Sequence, residues 1–435
     1  MIRPEETVVP TLGEPRIESP LRDKRWESFP EFFIHPESRV RYQVEVNTPA
    51  DRPGDVFFEK AGPREKIFFD PQETRAAIVT CGGLSPGLNN VVRSASLELY
   101  HNYGVREIFG VRYGYQGLNP AEGQPPIPLT PEFVGRIQDA GGSVLGSSRG
   151  AQDPAVMVNY LKRERINLLL CLGGEGTQNG ALQIHREASR RGYPLAVVGI
   201  PKTIDNDIPY VSMSFGFNTA IEKSREVLEC AHNEAKSAPN GIGLVKLMGR
   251  HAGFIACGAT LASQEVNFCL IPEVPFSLEG EHGLLHVLHK RILNRGHAVV
   301  VVAEGAGQDL FAEKSGETDA SGNVRLHDVG ELLRDRIREH CKRQDTTVEV
   351  KYFDPSYFIR SVPANATDRV LSDQLARYAV HAGMAGMTGV LVGHTNNVFT
   401  YVPIALSTSR KKRVFTDGSL WRSVLAATGQ PAVFH

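Results

Sequence analysis

Cysteine is sparse: six in 435 residues (Cys81, Cys171, Cys230, Cys257, Cys269 and Cys341), scattered, with no CxxC pair and no zinc spacing. That excludes a disulfide-stapled scaffold and a thiolate metal site, and it is the usage expected of a reducing compartment. Long hydrophobic runs are absent too, since none approaches the ~20 apolar residues that a membrane helix requires. Charge of one sign is not in excess. A formal net charge of -1 gives neither nucleic acid nor an anionic membrane a reason to bind. The first residues lack the basic start and apolar core of a secretory signal, and the closing Ala-Val-Phe-His is neither a peroxisomal nor an ER-retention signal. These absences together predict a soluble cytoplasmic protein.

What is present is ordinary in amount, 41% hydrophobic and 22% charged, but ordered in pattern. The chain is too long for one core and is expected to form two large lobes. Residues 1–72 are rich in Pro, Arg and Glu with weak periodicity, and read as an irregular N-terminal extension. Aromatic residues interspersed there (Trp26, Phe29, Phe32, Phe33) suggest partial order. From residue 75 strands and helices alternate. Apolar strands are expected at 76–80, 107–113, 167–172, 195–198, 242–247, 268–271, 298–303 and 347–353, with helices at 130–139, 329–342 and onward from 367. Strands apolar on both faces and separated by helices mark mostly parallel sheets, and hence an α/β protein with two Rossmann-like three-layer lobes. The expected division is about 73–240 and about 241–405, with crossing of the chain between the lobes allowed for, then a C-terminal segment 406–435, with a polar excursion at 308–323.

The chemistry gathers after the strands. Gly-Ile-Pro-Lys-Thr-Ile-Asp-Asn-Asp-Ile at 199–208 offers a cation at Lys202, a hydroxyl at Thr203 and two carboxylates, Asp205 and Asp207. Paired acids beside a cation suit proton abstraction next to phosphate charge. A polar loop whose Asp residues form Asx turns fits the same letters. Glycine-rich turns at 82–89 and 173–177 each join a strand to a helix, where backbone N–H groups favour anions. The second holds an acid, Glu175, able to hold magnesium while the backbone contacts phosphate, or else merely exposed. Arg149 and Gly150 follow a flexible stretch. Arg250, Glu273 and Glu304 each stand just beyond an apolar strand. The run Arg410 to Arg413 reads as a solvated basic surface, with a nuclear signal or effector site as the lesser alternative, and Cys81 and Cys171 read as small core residues.

This set resembles the phosphofructokinase family, and in detail its plant- and trypanosome-like ATP-dependent branch, over about residues 75–400. The resemblance rests on residues 82–89, 173–177, 201–207, 248–253 and Tyr-Phe-Asp-Pro-Ser-Tyr-Phe-Ile-Arg at 352–360. It implies transfer of a phosphoryl group from MgATP to the 1-hydroxyl of fructose 6-phosphate, with Asp205 as the base. It also implies that Thr203, Ile204, Asp205, Met248, Gly249, Arg250 and Glu273 contact the sugar phosphate. Tyr357 and Arg360 match the branch's replacement for a His-x-x-Arg phosphate clamp. The implied ATP site is Gly83, Arg149, Gly150, Gly174, Glu175, Gly176 and Thr177, with Mg2+ at Glu175, where Asp is more usual. Gly176 and Lys202 are the implied donor-specificity positions, because pyrophosphate users tend to carry Asp at the place of Gly176. The nucleotide is expected on the 73–240 lobe and the sugar phosphate on the 241–405 lobe, in a homotetramer or homodimer under allosteric control. Two other readings share these residues: a pyrophosphate-dependent enzyme, and a non-catalytic regulatory subunit that binds sugar phosphate and nucleotide. No motif in residues 1–72 matches the family.

Overall fold

Two six-residue runs, Leu168–Gly173 and Ala196–Pro201, are buried along their whole length. Strands apolar on both faces need cover on both sides, which parallel pairing with helices above and below provides. The computed structural model describes residues 2–22, 32–45, 56–312, 316–318 and 324–435. It divides into two compact units. The first comprises Met1–Thr203, Ile208–Gly216 and Val362–Lys411, and the second Ile204–Asp207, Phe217–Ser361 and Lys412–His435.

The first unit is built on a nine-stranded sheet in the order Arg39–Arg41, Phe57–Lys60, Val398–Pro403, Val390–Thr395, Ala196–Pro201, Leu168–Gly173, Arg75–Thr80, Glu107–Val111, Ile127–Pro128. From Val390–Thr395 to Glu107–Val111 every pairing is parallel, and the edges are antiparallel. Side chains alternate between faces as strand geometry demands. Ile78, Leu170 and Val198 pack with Val91, Val92, Leu375 and Ala379 from the helices Leu88–Leu97 and Ala366–Met384. Val79, Leu169 and Val197 join Val158, Leu161, Ala181 and Ile184 from Pro154–Arg163 and Glu175–Arg190 on the other face. This is a three-layer sandwich.

The second unit has a four-stranded, fully parallel sheet in the order Phe268–Leu270, His297–Ala303, Gly241–Leu247, Glu349–Phe353. Helices Leu284–Arg295 and Val329–Arg343 cover one face through Leu285, Leu288, Leu333 and Ile337. Helix Phe217–Ser237 lies so close to the sheet that a Cβ at Gly241 would meet the Ala235 carbonyl oxygen at 2.1 Å.

Several expectations change in detail. The 1–72 extension is part of the first unit: Ile17–Glu18 pairs with Lys66–Ile67, and Phe57–Lys60 extends the large sheet. Trp26 and Phe29 lie outside the described residues. The helix expected at 130–139 is two short turns, Pro131–Val134 and Ile137–Asp139. The division expected at residue 240 differs from the compact units, because Phe217–Ser361 belongs to the second and Val362–Lys411 returns to the first. The C-terminal segment is shared as well, Lys412–His435 closing the second unit with Trp421 and Phe434 buried. Of the 308–323 excursion, residues 316–318 are exposed, while 313–315 and 319–323 lie outside the described residues.

The turn after Leu168–Gly173 contains two glycines with opposite demands. A Cβ at Gly173 would lie 1.9 Å from Thr177 Oγ1, whereas one at Gly176 would meet nothing within 4 Å. Gly173→Ala is expected to destabilise by ~1–3 kcal/mol through overpacking. Gly176→Ala, in a helix, is expected to be neutral or to stabilise by up to about 1 kcal/mol. Denaturant titrations of both variants check this, and equal midpoints would show that Gly173 is not sterically required.

Candidate active site

In the first unit three parallel strands deliver their loops to one edge. After Arg75–Thr80 the backbone turns at Gly82 (φ +81), whose N–H donates to the Ser148 carbonyl at 3.0 Å. Ser147 Oγ donates to the Gly82 carbonyl at 2.6 Å. The Arg149–Gly150 stretch is thereby fastened to the first glycine turn, and both residues are exposed. Lys202, at the end of Ala196–Pro201, is buried, and its Nζ donates to the Gly83 carbonyl. Its own N–H donates to the Gly173 carbonyl at 3.1 Å. One lysine therefore ties both glycine turns together.

Gly174 precedes helix Glu175–Arg190, whose first N–H groups have no acceptor in their own helix. Glu175 and Gly176 are exposed at this end. The Glu175 carboxylate faces Lys411 Nζ at 3.4 Å. Thr177 is turned inward: its side chain is buried, and its carbonyl accepts the Tyr115 hydroxyl at 2.7 Å. Thr203 gives its carbonyl to Ser214 Oγ at 2.6 Å. Burial pushes the Cys81 thiol up to about 12, so it stays protonated as a core residue.

The second unit brings together charged side chains. The loop after Gly241–Leu247 is stapled to the loop after His297–Ala303: Glu304 N–H donates to Leu247 O at 2.8 Å and Gly305 N–H to Gly249 O at 3.1 Å. Met248, Gly249 and Arg250 are thus held beside Glu304, and Arg250 Nη1 donates to the Val324 carbonyl at 2.6 Å. Asp205 enters the same cluster next to the buried Ile204. Burial, then the neighbouring Asp207 and Glu304 charges, raises its carboxyl to about 8, against an Arg250 backbone hydrogen bond and the Arg360 guanidinium. Glu304 is itself raised, chiefly by burial, with Arg250, Lys246 and Arg360 opposing. Burial also draws the Lys412 amine down to about 8 despite Asp207.

Other site residues serve as scaffolding or stand exposed. Both Glu273 oxygens accept the Gly253 N–H at 3.1 Å, and Oε1 also accepts the Val414 N–H at 2.8 Å. Its carboxylate positions the start of helix Phe254–Ser263. Tyr357 is 73% exposed, and the Arg360 guanidinium stacks over its ring at 4.9 Å. The turn carrying both is anchored by Asp354, which pairs with Lys246 Nζ at 2.9 Å, while Asp328 takes the same amine at 2.6 Å. Lys246 had a sequence signal that was passed over, a lone cation inside an apolar strand. The basic run is exposed at Arg410, Lys411 and Arg413, and its side chains have partners: Lys411 pairs with Glu175, Lys412 lies 5.0 Å over the Phe254 ring, and Arg410 lies 4.8 Å over the Tyr210 ring.

Among the described residues no three His, Cys, Asp or Glu side chains form a metal cluster. A single exposed acid at a helix start fits magnesium carried largely by phosphate and water, not by an all-protein cage. Glu175 is the exposed acid at the start of helix Glu175–Arg190. Among the described residues no helix is long and apolar enough to cross a membrane.

Comparisons with known proteins identify the family. The family model described as Phosphofructokinase matches residues 75–383. The ATP-dependent 6-phosphofructokinase of Borreliella burgdorferi is 46% identical, covering 97% of this chain and 96% of its own length. ATP-dependent 6-phosphofructokinase 7 of Arabidopsis thaliana is 45% identical over 96% of this chain and 86% of its own. The Entamoeba histolytica ATP-dependent 6-phosphofructokinase is 49% identical over 85% and 84%. Among solved structures, a pyrophosphate-dependent phosphofructokinase from Marinobacter aquaeolei superposes with a TM-score of 0.67 at 19% identity, over 82% of this chain and 91% of that one. Pichia pastoris phosphofructokinase gives 0.64 at 20% identity, over 88% and 39%. At such identities the structures speak for the fold alone, and the sequence relatives carry the assignment: the chain belongs to the phosphofructokinase family.

Proposed function

We propose that this protein transfers the γ-phosphoryl group of MgATP to the 1-hydroxyl of fructose 6-phosphate, releasing ADP and fructose 1,6-bisphosphate. The carrying observation is Asp205, a carboxylate raised to about 8 beside two arginines. A general base works best with a pKa near the working pH, and burial with like charges makes Asp205 such a base. In its ionised form it takes the proton of the attacking hydroxyl. Arg250 and Arg360 offset the charge of the sugar phosphate, with Tyr357 beside the latter. Ile204, Met248, Gly249 and Glu273 are further sugar-phosphate contacts in this reading, as is Thr203 of the first unit. This retained machinery argues against a silent regulatory subunit.

The donor belongs to the first unit in this reading. Gly83, Arg149, Gly150 and the Gly174–Thr177 turn offer backbone and one guanidinium to a nucleotide, with Thr177 contributing main chain because its side chain is turned inward. Glu175 would hold Mg2+, which supplies charge neutralisation on the polyphosphate. Lys202 orders the two turns. The open space at Gly176 supports ATP over pyrophosphate, since the fold itself does not require glycine there. The lobe assignment, nucleotide on one unit and sugar phosphate on the other, is carried in the same proposal. So are a cytoplasmic homo-oligomer, tetramer or dimer, allosteric control, and the absence of nucleic-acid or membrane partners.

Asp205→Asn is expected to lower kcat by at least ~10²–10⁴-fold while fructose 6-phosphate still binds. Because only the ionised carboxylate accepts a proton, kcat/KM should rise with pH toward about 8. Glu304→Gln removes a like charge and should move that limb to lower pH. The same raised pKa means that the folded chain holds the proton more tightly than the unfolded one, so this group costs stability as pH climbs from the ordinary carboxylate range to about 8. Asp205→Asn should therefore melt above wild type at alkaline pH and level with it near pH ~3. A variant keeping a tenth of wild-type turnover, or a limb unmoved by Glu304→Gln, would overturn the assignment.

Arg360→Ala should raise KM for fructose 6-phosphate about 10- to 100-fold, the loss of one charge-assisted contact, with KM for ATP nearly unchanged. Parallel rises in both would make Arg360 structural. Gly176→Asp places a carboxylate where repulsion of a phosphate at ~4 Å is worth about 4 kcal/mol at an effective dielectric near ~20. ATP affinity should fall by at least ~100-fold with the fold intact, and wild type should show negligible turnover with pyrophosphate. Initial rates with both donors on both proteins check this.

A further inference from the structure

The run Arg410 to Arg413 is not loose surface. Upstream, Thr408 N–H donates to Ile404 O at 3.0 Å and Ser409 Oγ to Leu406 O at 2.8 Å. Downstream, Lys412 N–H donates to the Asp207 carbonyl at 3.0 Å and Val414 N–H to Glu273 at 2.8 Å. The chain is therefore bonded just before Lys411 within the first unit and just after it within the second. Its side chain ends 3.4 Å from the Glu175 carboxylate, with both groups partly exposed at 34% and 47%. Glu175 opens a helix whose first N–H groups face outward beside the glycine turns.

We propose that Lys411 is a phosphate-binding residue of the donor site, parked on Glu175 until a nucleotide polyphosphate takes its ammonium. The inference rests on the reading of the Gly174–Thr177 turn as the donor site. An ion pair exposed to water is weak and exchanges readily, so a polyanion arriving at this helix start competes well for the lysine. The exchange also frees the Glu175 carboxylate, the group expected to meet the donor's divalent cation. One lysine thus keeps the carboxylate neutralised in the empty protein and moves to the donor when the metal–nucleotide complex arrives. The recognised chemistry is a di- or triphosphate, not the adenine or ribose.

The test is calorimetric titration of the full-length protein with AMPPNP and with AMP, each in EDTA and in magnesium chloride. Lys411→Met should weaken AMPPNP binding about tenfold or more in both buffers and leave AMP binding unchanged. Lys411→Arg should recover most of the loss. Arg413→Met makes the same charge change one residue beyond the Lys411–Lys412 pair and should have no effect. Unchanged AMPPNP binding in Lys411→Met, an equal loss for AMP, or an equal loss in Arg413→Met would overturn the proposal. Glu175→Gln separates it from the metal assignment. If magnesium strengthens AMPPNP binding as much in Glu175→Gln as in wild type, the metal reading of Glu175 fails whatever Lys411 does.

Discussion

Three carboxylates, Asp205, Asp207 and Glu304, crowd one another in the second unit, and containing their repulsion is the constraint on which the site depends. Each ionised neighbour makes the next ionisation harder, and burial adds to the cost. The cations that limit it come from separate stretches of chain: Arg250 after one strand, Lys246 inside that strand, Arg360 from a short turn and Lys412 from the C-terminal segment. Their combination leaves the Asp205 carboxyl raised to about 8, still ionisable near neutral pH. A carboxylate paired tightly with one arginine would be too weak a base, and one buried alone would remain protonated.

Both units reach this chemistry by the same backbone arrangement. Parallel strands end together, each is followed by a turn, and a helix begins with unbonded N–H groups. The first unit fills these turns with glycine, so that the main chain is the surface it presents. The second fills them with acids and arginines. A nucleotide polyphosphate suits the first, because many modest N–H contacts spread over many oxygens. Proton transfer suits the second, because it needs one group of tuned basicity.

The strands bearing the site were legible in the sequence because they are apolar on both faces, and only parallel pairing satisfies such runs. Asp205, Arg250 and Glu304 were legible for a related reason, as charges placed directly after apolar strands. The hairpin Val390–Thr395 and Val398–Pro403 was not singled out, although Asn396 and Asn397 both have positive φ, the mark of a tight two-residue turn. Arg39–Arg41 and Phe57–Lys60 were invisible because short edge strands are stabilised by their partner more than by their own pattern. Crossing of the chain between lobes was allowed for, but the bounds of the compact units escaped the reading since contacts between residues far apart in sequence define them. Glu273 was legible as an acid after an apolar strand, but of its bonds to two backbone amides one comes from a segment nearly a third of the protein away. The Arg410 to Arg413 run was legible as an exposed charged face, whereas the backbone hydrogen bonds beside it leave no mark in a charge pattern.

The division of the first unit has a consequence for synthesis. Helix Ala366–Met384 and strand Val390–Thr395 complete its core, yet they follow the whole of Phe217–Ser361 in the chain. As the polypeptide leaves the ribosome, Ala196–Pro201 is an unpaired apolar edge on one side until those late segments emerge. Strand edges and bare apolar faces of that kind are sticky, and non-local pairings form slowly. The second unit holds its four strands within Gly241–Phe353 and has no such delay before its sheet is complete. Nascent chains thus pass through a period with one sheet closed and the other open, which is when a chaperone would have most to cover.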